Sequence, residues 1–277
     1  MLKRFLFILS LLVLIVSPGR SQSGGGLVNY SPYENESEKA IFNQSSENPF
    51  LLLQAVHAKK NTSLKGYNKL VEKLDKRAKN KDHTKWFLGE VFYQTHKVLL
   101  KEYKKHSVFN DLLNQGLYDC VSGSAIYALM LERYAFDYKI IETDFHVFVL
   151  VNENGENFIF ESTEPRSGFI HDPGRVKEYL RAFLPSNSQS NNDRNPSLGS
   201  LAQQPGEAKT IFKAISLTEL AGLQYYNDAI LHFNENALKT SLNQLAKAQK
   251  IYPSDRVVAL RELLEQMDHE NQELASR

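Results

Sequence analysis

The sequence predicts an α+β protein, on three observations. Apolar residues recur with helical spacing through the stretch that ends at Tyr103. A stretch rich in Ile, Val, Phe and Tyr, with an Asn-Gly pair inside it, follows at 138–163. Amphipathic helical patterning then returns beyond a polar gap and continues to residue 274.

The elements follow in order. Residues 28–48 are polar and without period. Phe50 to Val56 reads as a short buried helix. Leu64 to Arg77 places Leu64, Tyr67, Leu70, Val71 and Leu74 on one helical face. His83 to Tyr103 repeats the pattern with Trp86, Phe87, Val91, Phe92, His96, Leu99 and Leu100, which makes His96 a packing residue. Asp111 to Asp119, containing Gly116, reads as a loop, and Val121 to Tyr134 as a helix. Tyr138–Thr143, His146–Val151 and Asn157–Thr163 read as strands. Asn154-Gly155 between the last two is a strong hairpin signal. His171 to Gly174 reads as a turn. Residues 186–207 are Ser/Asn/Gln/Pro-rich and read as a linker or a long surface loop. Thr218–Asn234, Ala237–Tyr252 and Asp255–Leu274 are three amphipathic helices.

Composition narrows the function classes. With 33 Lys+Arg against 32 Asp+Glu, the net charge of +1 offers no basic excess for nucleic acid. A hydrophobic fraction of 42% over 277 residues argues for a folded chain with a sizeable core. One cysteine excludes a disulfide framework and a cysteine-based metal cluster. No Asp-rich loop points to calcium, so neither metal nor cofactor is expected.

Residues 1–21 have the three parts of a secretory signal. Lys3 and Arg4 precede an apolar run from Phe5 to Val16, and small residues follow at Gly19 and Ser21. The run is short for a membrane span, and no cysteine follows it to carry a lipid. Cleavage after Ser21 is expected, giving a secreted or periplasmic protein with no transmembrane span; an uncleaved anchor is the other reading. Loss of Lys3, Arg4 and Arg20, with no acidic residue, takes the net charge from +1 to −2.

The single cysteine carries the chemistry. Cys120 stands at the start of the Val121–Tyr134 helix, where unpaired N–H groups and the dipole favour a thiolate. A two-residue turn at Asn154-Gly155 places Phe148 opposite Glu161 and His146 opposite Thr163. His146, Phe148, Glu161 and Thr163 then share one face, with His146 and Glu161 as diagonal neighbours. Val147, Val149, Val151, Phe158 and Phe160 take the other face. An imidazole and a carboxylate on a largely apolar sheet are costly unless paired or used. Cys120 as nucleophile, His146 as base and Glu161 as the group fixing the imidazole form a triad. The Cys120 N–H and the Gln115 amide are the oxyanion candidates, and Thr163 and Asp144 are polar neighbours. The blander reading keeps Cys120 as a small buried hydrophobe and His146 as a hydrogen-bonded core residue.

The stretches Leu117-Tyr118-Asp119-Cys120-Val121-Ser122-Gly123, Phe145-His146-Val147-Phe148 and Phe158-Ile159-Phe160-Glu161 resemble the transglutaminase-like core of the papain-like fold. They are most similar to bacterial SirB1-like proteins, which carry a tetratricopeptide-like C-terminal part. The resemblance covers about residues 85–185 well and the C-terminal part loosely, and with the polar linker 186–207 the expected division is a domain over 28–185 and a helical domain over 208–277. It puts Cys120, His146 and Glu161 on the nucleophile, base and acidic positions. It also implies a thiol enzyme acting on amide bonds of a protein or peptide substrate, by hydrolysis or transfer. Glu161 stands where the family usually has Asp, and Val121 and Val147-Phe148 depart from its aromatic pattern. An inactive binding module of the same fold is the alternative. In the C-terminal part, Gly222, Tyr225, Tyr226 and Ala248 look like the packing positions of one tetratricopeptide-like unit, with Pro253 closing it. That unit serves either as a platform for a protein partner or as a cap on the first domain.

Overall fold

The protein is described by a computed structural model, which covers residues 31–44, 48–80, 84–183 and 211–276. The expected signal peptide at 1–21, the expected linker at 186–207 and His83 lie outside these residues. Among the described residues the architecture is α+β. Helices precede and follow a five-stranded antiparallel sheet, and a two-stranded parallel pair sits beside it.

The first helices are α1 (Glu36–Gln44), α2 (Pro49–Leu52), α3 (Lys65–Arg77) and α4 (Thr84–Val98). α1 lies in the stretch expected to lack period. It is fixed from outside, because buried Glu38 receives hydrogen bonds from the Glu34 N–H, from Tyr225 and from Lys247. The Lys247 ammonium stands 2.6 Å from that carboxylate, and removing either member of such a buried pair costs about 3–5 kcal/mol.

Strand β1 (Glu102–Tyr103) pairs with β2 (Leu117–Tyr118), and α5 (Phe109–Gln115) lies between them. The stretch expected to be a loop is therefore mostly helix. Long-range bonds hold it: buried Asn110 donates to the Gln54 and Val56 carbonyls, and the Phe109 N–H donates to Gln224.

Helix α6 (Cys120–Arg133) is buried over most of its length and packs on β3 (Tyr138–Thr143) and β4 (Val147–Glu153). β5 (Glu156–Phe160) pairs with β4 in the expected register, with Val149 opposite Phe160 and Glu153 opposite Glu156. Asn154 and Gly155 both have positive φ, 53° and 79°, as a type I′ turn requires. β6 (Phe169–Ile170) and β7 (Phe212–Ile215) close the sheet, in the order β6-β5-β4-β3-β7.

The two faces have different roles. Val147, Val149, Val151, Phe158 and Phe160 join the main core under α6. Ile141, Phe148 and Ile159 face the other way and are covered by α7 (Pro173–Arg181) through Val176, Tyr179 and Leu180. The expected turn at 171–174 is the start of α7: Asp172 caps it and Pro173 takes the first position.

The last helices are α8 (Leu217–Asn234), α9 (Leu238–Ile251) and α10 (Asp255–Ala275). α8 and α9 pack antiparallel, with Gly222 against Ile251 and Tyr252 at one end and Ser241 donating to the Ala229 carbonyl nearer the other. Leu220, Leu223, Leu245, Val257 and Leu260 belong to the same core as α4, α6 and the sheet. β7, just before α8, supplies an edge strand to that sheet. No helix among the described residues is long and apolar enough to cross a membrane.

Candidate functional site

Cys120 is the first residue of α6. Asp119 caps the helix, accepting from the Ser122 N–H at 2.8 Å while its own N–H donates to the Ser122 hydroxyl. Gly123 lets this end of the helix approach the sheet, since a Cβ there would lie 2.6 Å from both the Cβ and Oγ of Ser162. Ser124 adds a hydrogen bond to the Val147 carbonyl at 3.1 Å. The helix end bearing Cys120 is thereby fixed against the start of β4, next to His146.

His146 precedes β4 and Glu161 follows β5. The register puts them on the same face, and His146 Nε2 lies 2.5 Å from Glu161 Oε2. The other carboxylate oxygen, Oε1, accepts from the Thr163 N–H at 2.8 Å and from its hydroxyl at 2.6 Å. The Tyr179 hydroxyl donates to Oε2. Burial by itself would raise the Glu161 carboxyl, but these hydrogen bonds outweigh it and hold it below the ordinary carboxylate range. The imidazole lies nearly parallel to Phe183 and Phe148, at centroid distances of 6.0 and 6.5 Å. Thr143 fixes its backbone, accepting from the His146 N–H and donating to its carbonyl.

Cys120 and His146 line one cavity of about 300 Å³, the room of a side chain or short peptide segment. Its other walls include Tyr103, Phe145, Leu223, Tyr226 and Arg256, so α8 and the start of α10 form one side of it. Cys120 as a residue is half-buried there. Burial pushes its pKa up, and the Asp119 carboxylate adds to the rise; the N–H groups of Val147 and of Cys120 itself pull the other way. The dipole advantage expected from the helix start is thus outweighed by desolvation, which favours the neutral thiol.

Gln115 does not join this group. Gly116, at φ 80°, turns the chain after α5, and β2 then intervenes before Cys120. The exposed Gln115 side chain lines a separate groove with Lys65, Lys69 and Lys101, which corrects its assignment as an oxyanion donor. Tyr179 escaped the sequence reading, although the Asp172-Pro173 pair announces its helix. His96 packs among Phe92, Tyr118 and Tyr127, as its apolar helical face predicted.

A second cluster was not anticipated. Glu34, His57, Asp228 and His232 bring together one ligand atom each, all within 4.8 Å of one another. Asp228 and His232, four apart on α8, are the part of it that helical spacing announces. The Asp228 carboxylate beside His57 raises that imidazole to about 9 in spite of its burial.

No protein-family model, no curated protein and no solved structure matches the chain.

Proposed function

We propose that this protein is a thiol enzyme of the transglutaminase-like, papain-like kind, acting on amide bonds of a protein or peptide substrate. The observation that carries the reading is the 2.5 Å pair of His146 Nε2 and Glu161 Oε2 on the cavity that Cys120 also lines. Glu161 holds the tautomer with its proton on Nε2, which leaves the Nδ1 lone pair free to take a proton. Because the Cys120 thiol rests neutral, His146 acts as a general base during attack rather than as half of a standing ion pair.

The Cys120 proton passes to His146 Nδ1 as the sulfur bonds to the substrate carbonyl carbon. The carbonyl pair moves onto oxygen, where the Cys120 N–H at the helix start receives it. Collapse breaks the C–N bond, and the leaving nitrogen takes the proton from His146. A thioester on Cys120 remains. Water then gives a carboxylic acid and an amine gives a new amide, each passing a proton through His146 back to the thiol.

Incubation with an activated ester tests this by intact-mass spectrometry. One acyl group is expected on Cys120, removable by hydroxylamine, and formed about a hundredfold more slowly in His146→Ala. An adduct that forms equally fast in both proteins would overturn the reading. The upward shift of the thiol favours a second reading, a binding module of the same fold. That reading predicts peptide binding undiminished in Cys120→Ser with no acylation of the wild type.

A further inference from the structure

The cluster at Glu34, His57, Asp228 and His232 lies outside the Cys120 cavity and has no part in the thiol chemistry. Its members come from three places in the chain. Glu34 precedes α1, His57 lies between α2 and α3, and Asp228 and His232 stand one turn apart on α8.

Three of the spacings are close to those between ligands of one ion, although the two histidines approach different oxygens of Asp228. His57 Nε2 is 3.1 Å from Asp228 Oδ1 and 3.7 Å from Glu34 Oε1, and His232 Nε2 is 3.4 Å from Asp228 Oδ2. Around a tetrahedral ion with bonds of about 2.0–2.1 Å, ligand atoms stand about 3.3 Å apart. Both imidazoles lie within ion-pair range of the Asp228 carboxylate, but not all of these approaches have hydrogen-bond geometry. Asp228 Oδ1 and His232 Nε2 are both buried and have no hydrogen-bond partner, although each has a polar neighbour within reach. The Asp228 side chain is only 1% exposed, so the orphaned oxygen has no compensation from solvent. Buried atoms left without a well-aligned partner inside such a cluster are free to bind an ion. Gln244 holds both carboxylates, its Nε2 donating to Asp228 Oδ2 at 2.5 Å and to Glu34 Oε1 at 3.1 Å. Such outer donors orient metal-binding carboxylates.

We propose that Glu34, His57, Asp228 and His232 bind one divalent transition-metal ion of the Zn²⁺ class. Two imidazole nitrogens and two carboxylate oxygens suit that ion, whereas Ca²⁺ and Mg²⁺ take shells of oxygen alone. Four protein ligands close the shell, which makes the ion structural rather than catalytic. It ties the segment before α1 and the His57 loop to α8, the helix that also walls the Cys120 cavity through Leu223 and Tyr226.

The test uses the full chain, stripped with a chelator and titrated with Co²⁺ and then Zn²⁺. One equivalent of Co²⁺ is expected to give the intense visible absorption of a tetrahedral site, and Zn²⁺ to abolish it. Zn²⁺ is also expected to raise the thermal midpoint. His232→Ala and Asp228→Asn, each shown to be folded by circular dichroism, are expected to weaken binding more than about tenfold. His269→Ala, at an exposed position on α10, is expected to leave it unchanged. No cobalt absorption and no thermal shift up to millimolar Zn²⁺ would overturn the proposal. So would binding that survives both His57→Ala and His232→Ala.

Discussion

At the residue scale, the site depends on how Glu161 is held. Its two oxygens accept four hydrogen bonds, from His146, from Tyr179 and twice from Thr163. A glutamate is longer than an aspartate, and this set of donors restores the fixed aim that the extra methylene would lose. His96 shows the opposite treatment of an ionisable group. Burial among aromatic rings pushes its pKa from 6.5 down to about 4. Between those values the unfolded chain binds a proton that the folded chain does not, so this residue makes stability fall as pH falls through the window. Asp119, which burial raises to about 6, acts in the opposite sense over part of the same range, so the effect is isolated only by difference. Relative to His96→Phe, the wild type is expected to lose about 3 kcal/mol between pH 7 and pH 4, read by urea unfolding at each pH. Parallel pH profiles for the two proteins would remove His96 as the cause.

At the element scale, the start of α6 and the β4–β5 hairpin share the work of placing the triad. The hairpin was legible because its signals are local. Alternating apolar residues and Asn154-Gly155 set the register, and the register alone puts His146 and Glu161 on one face. The close approach of α6 depends on Gly123. Gly123→Ala is expected to cost about 1–3 kcal/mol in thermal or urea unfolding, because the new methyl meets buried Ser162. Ser162→Gly in the same chain is expected to recover most of the loss. An unchanged midpoint for the single variant would show that the contact has slack. Elements held by distant partners were not legible. α5 carries Asn110, Asp111, Asn114 and Gln115 in seven residues, and its bonds to Gln54, Val56 and Gln224 are invisible to a local pattern. Gln115 was misplaced for that reason, since an apparent loop gave no direction to its side chain. β7 has the same origin, as an edge strand defined only by pairing with β3.

Across the whole molecule, the C-terminal helices are woven into the structure that carries the site. Buried Glu142 on β3 accepts from Tyr252, forms an ion pair with Arg256 and lies 3.7 Å from Lys213. Glu38 reaches Lys247 on α9, and Gln224 on α8 donates to the Leu53 carbonyl. α8 thus becomes a wall of the Cys120 cavity, a role that its packing pattern gave no means of foreseeing. The sequence separated the helices from the sheet by composition; the hydrogen bonds that join them span more than a hundred residues of chain. The central claim is that His146 activates Cys120, and the pH dependence of Cys120 alkylation in wild type and His146→Ala tests it most directly. The account predicts two ionisations in the wild-type rate and loss of the lower one in His146→Ala. The variant's neutral-pH rate is expected to fall about a hundredfold. A single ionisation, identical in both proteins, would contradict it.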